Sequence, residues 1–193
     1  MKEQLDREGI GYVLLGGAVP NPRLSLVYQG IDLCREEGVD FILAVGGGSV
    51  IDSAKAIGYG VYNGGDVWDL YERKRKADGC LPIGVVLTLA ATGSEMSHSA
   101  VITKEEGQIK KGYSSDYGRP KFAVMDPELT LTLPDYQTAS GCTDIMMHTM
   151  ERYFTKDTDM DMNTAMGEAL MRTVKNAADA LLCQGDCKDP IRH

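Results

Sequence analysis

A strand that ends in three glycines and runs straight into a helix constrains this chain more than any other feature. In "FILAVGGGSVIDSAKAI", residues 41–57, the apolar run "VDFILAV" (39–45) has the pattern of a strand buried on both faces of a parallel sheet. It gives way to Gly46, Gly47 and Gly48, and a helix is predicted at or just after Ser49. Glycines let the backbone approach a ligand without side-chain obstruction. The helix start offers unpaired N–H groups and the positive end of a dipole, a combination that suits a phosphate or pyrophosphate. Ser49 and Asp52 also form an S-x-x-D pair, so a capped helix after a tight turn is the bland alternative. The loop is neither G-x-G-x-x-G nor G-x-x-x-x-G-K-[ST], and which phosphate it would take stays open.

Strand-like and helix-like segments alternate over the first 130 residues. "YVLLGG" (12–17) is an apolar run closed by glycines, and "PRLSLVYQGIDLCREEG" (22–38) has helical spacing and ends at a glycine. The helix from Ser49 is expected to be broken up by Gly58, Gly60 and Gly64. "PIGVVLTL" (82–89) reads as another buried strand and "KFAVMD" (121–126) as a later one. Repetition of this kind predicts an α/β fold with a Rossmann-like parallel sheet. From Pro134 to about Leu182 no strand-like run occurs. Met162, Met166, Leu170, Val174, Ala177 and Leu181 recur at helical spacing, as core or interface filler would. A domain boundary is placed near residue 133, with residues 1–133 α/β and 134–193 the start of a helical domain.

Composition narrows the function. Of 193 residues, 43% are apolar and 25% charged, the balance of an ordinary globular protein. With 20 basic against 28 acidic residues the net charge is −8, which argues against nucleic acid or an anionic membrane as main partner. The basic run "ERKRK" (72–76) reads as a solvated turn. Neither a membrane span nor an apolar signal core is present in the sequence, so a cytoplasmic location is expected. Five cysteines without a disulfide-like framework fit reduced thiols, and Cys183 and Cys187 do not read as a zinc site.

Two further stretches carry chemistry. "VVLTLAATGSEMSHSAVIT" (85–103) leaves a strand into a loop crowded with Thr88, Thr92, Ser94 and Ser97; such loops form the ligand crevice of open α/β sheets. His98 beside it reads as a surface or hydrogen-bonding residue. "GCTDIMMHTMERYF" (141–154) places Asp144 and His148 four apart on a helix, hence on one face and able to share a cation. An exposed carboxylate and a hydrogen-bonded imidazole are the alternative for that pair.

Taken in order, "PNPR" (20–23), "GGGSVIDSAKAIG" (46–58), "TLAATGSEMS" (88–97), "DPELTLTLP" (126–134) and "GCTDIMMHTMERYF" (141–154) resemble the iron-containing (group III) alcohol dehydrogenases, and within them the butanol dehydrogenase branch. The resemblance implies an NAD- or NADP-linked oxidoreductase. It would have a nucleotide-binding α/β domain followed by a helical metal-binding domain, and would act on a small alcohol or aldehyde, with a homodimer as the expected assembly. By position it implies Gly47, Gly48, Ser49 and Asp52 at the pyrophosphate, and Thr88, Thr92 and Ser97 as nucleotide-contacting hydroxyls. It also implies a cofactor-contacting lysine, taken as Lys110 rather than Lys111. Asp144 and His148 match the first two of four ligands to a divalent metal, Fe²⁺ or alternatively Zn²⁺. That metal would serve as Lewis acid while hydride passes to or from nicotinamide.

The family's other two ligands are downstream histidines, whereas this sequence has only His98, His148 and His193. The chain is therefore expected to begin inside the family's first helix and to stop about halfway, leaving NAD against NADP unresolved. Two other readings stand beside the alcohol dehydrogenase. One is a metal-dependent polyol dehydrogenase or sugar-phosphate lyase sharing the glycine loop. The other is a fragment that binds nucleotide without turnover.

Overall fold

The computed structural model describes residues 2–156 and 159–182; Cys183, Cys187 and His193 lie outside the described residues. A short helix α1 (Lys2–Arg7) precedes α2 (Leu24–Glu36), which buries Leu24, Val27, Ile31 and Cys34 at helical spacing. Between them "YVLLGG" forms no strand, and Leu14 is 62% exposed. No strand among the described residues pairs with it, and an apolar run alone does not satisfy backbone N–H and C=O groups.

Next come β1 (Ile42–Gly46), α3 (Gly48–Asn63), the single-turn α4 (Trp68–Tyr71) and β2 (Ile83–Leu87). A hairpin of β3 (Ser99–Lys104) and β4 (Ile109–Ser114) follows, then β5 (Phe122–Val124), α5 (Asp135–Tyr153) and α6 (Asp161–Leu182). β1, β2 and β5 form a parallel sheet in the order β1-β2-β5, with Gly84, Val85 and Val86 facing Phe122, Ala123 and Val124. The α/β expectation therefore holds. Burial on both faces does not hold for the outer strands: Val45, Phe122 and Val124 are 44%, 48% and 46% exposed. Only the central strand β2 is buried throughout, because it alone has a strand on each side.

Helix α3 also departs from expectation. It runs unbroken through Gly58 and Gly60 and ends only at Gly64, whose φ of 60° leaves the helical region. The two internal glycines serve packing. A Cβ on Gly60 would stand 2.1 Å from Ile31 Cδ1, and one on Gly58 would stand 2.7 Å from Cys80 Sγ. The chain trades helix propensity for close approach there. The core gathers α2, α3, α4 and β3 through Val27, Ile31, Tyr59, Trp68, Leu70 and Ile102.

The "ERKRK" run is a turn, but Arg75 is not simply solvated. Its guanidinium reaches the carbonyls of Asn63, Gly64 and Asp66 and so roofs the C-terminal end of α3. The carbonyls of Asn63 and Gly64 close the C-terminal end of α3, where a cation complements the negative end of the helix dipole, while the Asp66 carbonyl also accepts from the Asp69 N–H.

Two compact units are present. One holds the described residues up to Val86 together with Ser94–Val124; the other holds Leu87–Gly93 with the described residues from Met125 onward. In the second unit α5 packs on α6, and a Cβ on Gly141 would lie 2.6 Å from the Ala90 carbonyl oxygen. The methionine stripe of α6 is not core among the described residues: Met162, Met166 and Leu170 are 75%, 60% and 47% exposed, and the helix buries no residue. Packing on α5 alone cannot cover an amphipathic helix of 22 residues.

Candidate nucleotide cradle and metal ligands

The glycine loop delivers an open helix start. Gly47 is the N-cap of α3 with extended backbone and no side-chain cap, so the N–H groups of Gly48 and Ser49 head the helix unclaimed by any cap. The alternative reading of Ser49 and Asp52 as a capping pair is thus not met, since Gly47 is the N-cap. The physical reason lies further along the chain. Asp52 instead accepts hydrogen bonds from Ser94 Oγ at 2.6 Å and from the Val101 N–H at 2.9 Å, across to the second loop and β3. Burial holds the Asp52 carboxyl above its ordinary pKa, opposed by those two bonds and by the charges of Lys55 and Lys110.

One helical turn on, Lys55 is fully buried, with 0% of its surface exposed. Its ammonium donates to the carbonyls of Ser94, Ser97 and Ser99 at 2.7, 2.9 and 2.8 Å, and lies 3.0 Å from Ser94 Oγ and 3.4 Å from Ser97 Oγ. Burial pushes its pKa down to about 8, with Asp52 and Glu95 acting against the shift. Sequence reasoning passed over this residue. The available signal was a lysine set among small apolar residues, three positions after Asp52 on the same helix face. Ser97, a predicted contact, is held within this network, and its Oγ also accepts from the Ser99 N–H.

The hairpin separates the two candidate lysines, because adjacent strand residues point to opposite faces. Lys110 Nζ donates to Asn21 Oδ1 at 2.9 Å and is close enough to act on the Asp52 charge. Lys111 turns away, to Glu72 at 3.5 Å and over the Trp68 ring at 5.7 Å. Gly47, Gly48, Ser49, Asp52, Ser97 and Lys110 therefore belong to one unit. Thr88 and Thr92 lie on Leu87–Gly93, in the other. His98 pairs its Nδ1 with Arg119 at 3.2 Å, a hydrogen-bonding role.

Asp144 and His148 stand one turn apart on α5, with Asp144 Oδ2 and His148 Nε2 3.8 Å apart and both side chains about two-fifths exposed. Two donors each about 2.1 Å from one ion can be up to roughly 4.2 Å apart, so this pair fits two positions of a cation. The other ring nitrogen, Nδ1, lies 3.7 Å from the Oε2 of the exposed Glu151, beyond hydrogen-bond distance. Among the described residues no group of three or more His, Cys, Asp or Glu side chains could hold a metal ion. No helix among them is long and apolar enough to cross a membrane.

Comparison with known proteins agrees with this architecture. The family model described as "Iron-containing alcohol dehydrogenase" matches residues 1–127. The chain is 47% identical over 169 residues to NADH-dependent butanol dehydrogenase A of Clostridium acetobutylicum, a match covering 88% of this chain and 43% of that protein. It is 38% identical over 170 residues to the NADPH-dependent aldehyde reductase YqhD of Escherichia coli, covering 86% and 44%. The crystal structure of NADH-dependent butanol dehydrogenase A from Thermotoga maritima superposes with a TM-score of 0.90 at 39% identity, over 93% of this chain and 45% of that one. The chain spans less than half the length of the curated relatives it matches.

Proposed function

The chain belongs to the iron-containing alcohol dehydrogenase family, and from that premise we propose that it supplies the nucleotide cradle and two metal ligands of an NAD(P)-dependent alcohol dehydrogenase or aldehyde reductase acting on small primary alcohols such as butanol. The observation that carries this reading is the uncapped start of α3 behind the glycine loop. In this proposal residues 1–133 bind nucleotide and residues from 134 begin the metal-binding helical domain.

The N–H groups of Gly48 and Ser49 hold the pyrophosphate, and the dipole of α3 favours its negative charge. Gly47 keeps that approach clear of side chains, and Asp52 fixes the second loop from behind. Ser97 and Lys110 contact the nucleotide, as do Thr88 and Thr92. Asp144 contributes a hard oxygen donor and His148 a neutral imidazole to Fe²⁺ or Zn²⁺. When bound, the nicotinamide supplies hydride and the metal supplies Lewis acidity at the substrate oxygen. No side chain among these is assigned as general base.

A second reading, nucleotide binding without turnover by this chain, is favoured by the donor count, since catalytic zinc normally keeps three protein ligands and Asp144 and His148 supply two. Fluorescence titration with NADH and NADPH tests the cradle. Turnover assays with butanal and reduced nucleotide, then with glycerol and NAD⁺, test the chemistry. Activity on glycerol alone would favour the polyol dehydrogenase reading. Binding without any turnover, with no metal retained on purification, would establish the second reading.

A further inference from the structure

We infer that Lys55 is the positioning residue of the second loop: its buried ammonium gathers the carbonyls of Ser94, Ser97 and Ser99 and so sets the course of residues 94–99 against α3. An ammonium has three N–H donors and no acceptor. All three can be satisfied by the carbonyls at 2.7–2.9 Å, which converge from three points of one short segment. Charge-assisted bonds of this kind are about twice as strong as neutral ones. Asp52 completes the arrangement from the same helix face, with Ser94 Oγ bonded to its carboxylate and close to the ammonium. The Val101 N–H fixes the far end of the segment to Asp52. Residues 94–101 are thus tied at five backbone or hydroxyl points to two side chains spaced one turn apart on α3. The helix that would hold the phosphate also dictates the conformation of the loop beside it.

The burial of a full charge argues that the role is geometric. Hydrophobic replacement of buried charges is often neutral or stabilising, so such groups are poor candidates for mere structural support. The inference rests on the nucleotide reading only for what the loop binds; the loop's dependence on Lys55 stands apart from it.

The experiment therefore has two arms, both on the full chain. Without ligand, hydrogen exchange is followed for the segment 94–101 and for α2 as internal reference, in the natural protein and in Lys55→Met. Exchange of 94–101 is expected to accelerate by about tenfold or more in the variant while α2 changes by less than about twofold. Unchanged exchange at 94–101 would overturn the inference. Should Lys55→Met loosen α2 as well, the natural protein decides. Its Lys55 side-chain ammonium should give a slowly exchanging ¹⁵N–¹H resonance near pH 6, unlike exposed lysines, and the lack of that resonance would overturn the inference. The second arm is NADH titration. A loss of about tenfold or more in affinity in Lys55→Met is expected, with partial recovery in Lys55→Arg, and equal affinity in a folded variant would again overturn it. If the natural chain binds neither NADH nor NADPH, the nucleotide reading fails, while the exchange arm still decides what Lys55 does.

Discussion

At the scale of single residues, Lys55 gives a pH dependence whose sign is fixed by burial. Its surroundings contain Asp52 and Glu95 of opposite charge, Arg119 of like charge, and the Cys80 thiol, which burial pushes up to about 12. The folded-state pKa falls from the ordinary 10.5 to about 8, so between these values the unfolded chain retains a proton that the folded chain has released. The contribution of Lys55 to stability is therefore expected to rise as pH increases through that window, against the opposite trend of buried thiols such as Cys80, so it is read as the difference between the natural protein and a variant without the lysine. Urea unfolding at pH 8 and pH 10 checks it, and Lys55→Met should lack the increment; a fall with pH in the natural protein beyond that in the variant would contradict it. Asp144 and His148 support a second expectation. If they share an ion, Asp144→Ala or His148→Ala lowers the metal retained after purification, read by elemental analysis, without changing NADH affinity by more than about twofold. The difference between these two sites shows what a sequence discloses at this scale. Asp144 and His148 are four apart on one helix, so their proximity follows from helical geometry alone. The acceptors of Lys55 are 39–44 residues away, and only the tertiary path of the second loop brings them there.

Helix α3 and the hairpin carry the lesson at the scale of elements. The glycine loop and the strand before it were legible because a buried run followed by glycines has few other meanings. Gly58 and Gly60 were not, because a glycine that breaks a helix and one that admits a neighbour look alike in sequence. Gly58→Ala separates the two: propensity alone predicts a gain of about 1 kcal/mol, whereas contact with Cys80 Sγ and the Leu81 backbone predicts a loss of roughly 1–3 kcal/mol. We expect the loss, measured by chemical denaturation; a gain would mean that the neighbours yield easily. The hairpin of β3 and β4 sends Lys110 and Lys111 to different partners by strand alternation, with Lys110 registered opposite Thr103 and Lys111 opposite Ile102. Lys110→Met is accordingly expected to weaken NADH binding more than Lys111→Met, read by the same titration.

For the molecule as a whole, what shows is an imbalance of covered and uncovered surface. The family and the α/β order were readable because five short motifs stand in sequence. The exposure of Met162, Met166 and Leu170 was not, since an apolar stripe announces a partner surface without saying whether the surface is met. That stripe predicts dye binding and concentration-dependent mass in solution. Replacing Met166 and Leu170 by lysine should reduce both, as seen by anilinonaphthalene sulfonate fluorescence and sedimentation, and no change would relocate the sticky surface. The roof that Arg75 builds over α3 has a different consequence, for proteolysis. Arg73 and Lys76 are exposed and offer cutting sites for trypsin, whereas Lys74 is paired with Asp69 and Glu72 and cutting after Arg75 requires lifting its guanidinium from three carbonyls. A nick at the neighbouring sites would sever the chain between Trp68 and Ala77, yet both fragments contribute to the same core, the first with Val27, Ile31 and Tyr59 and the second with Ala77 and Ile102. Such a cut should yield two bands on a denaturing gel and one species in native solution.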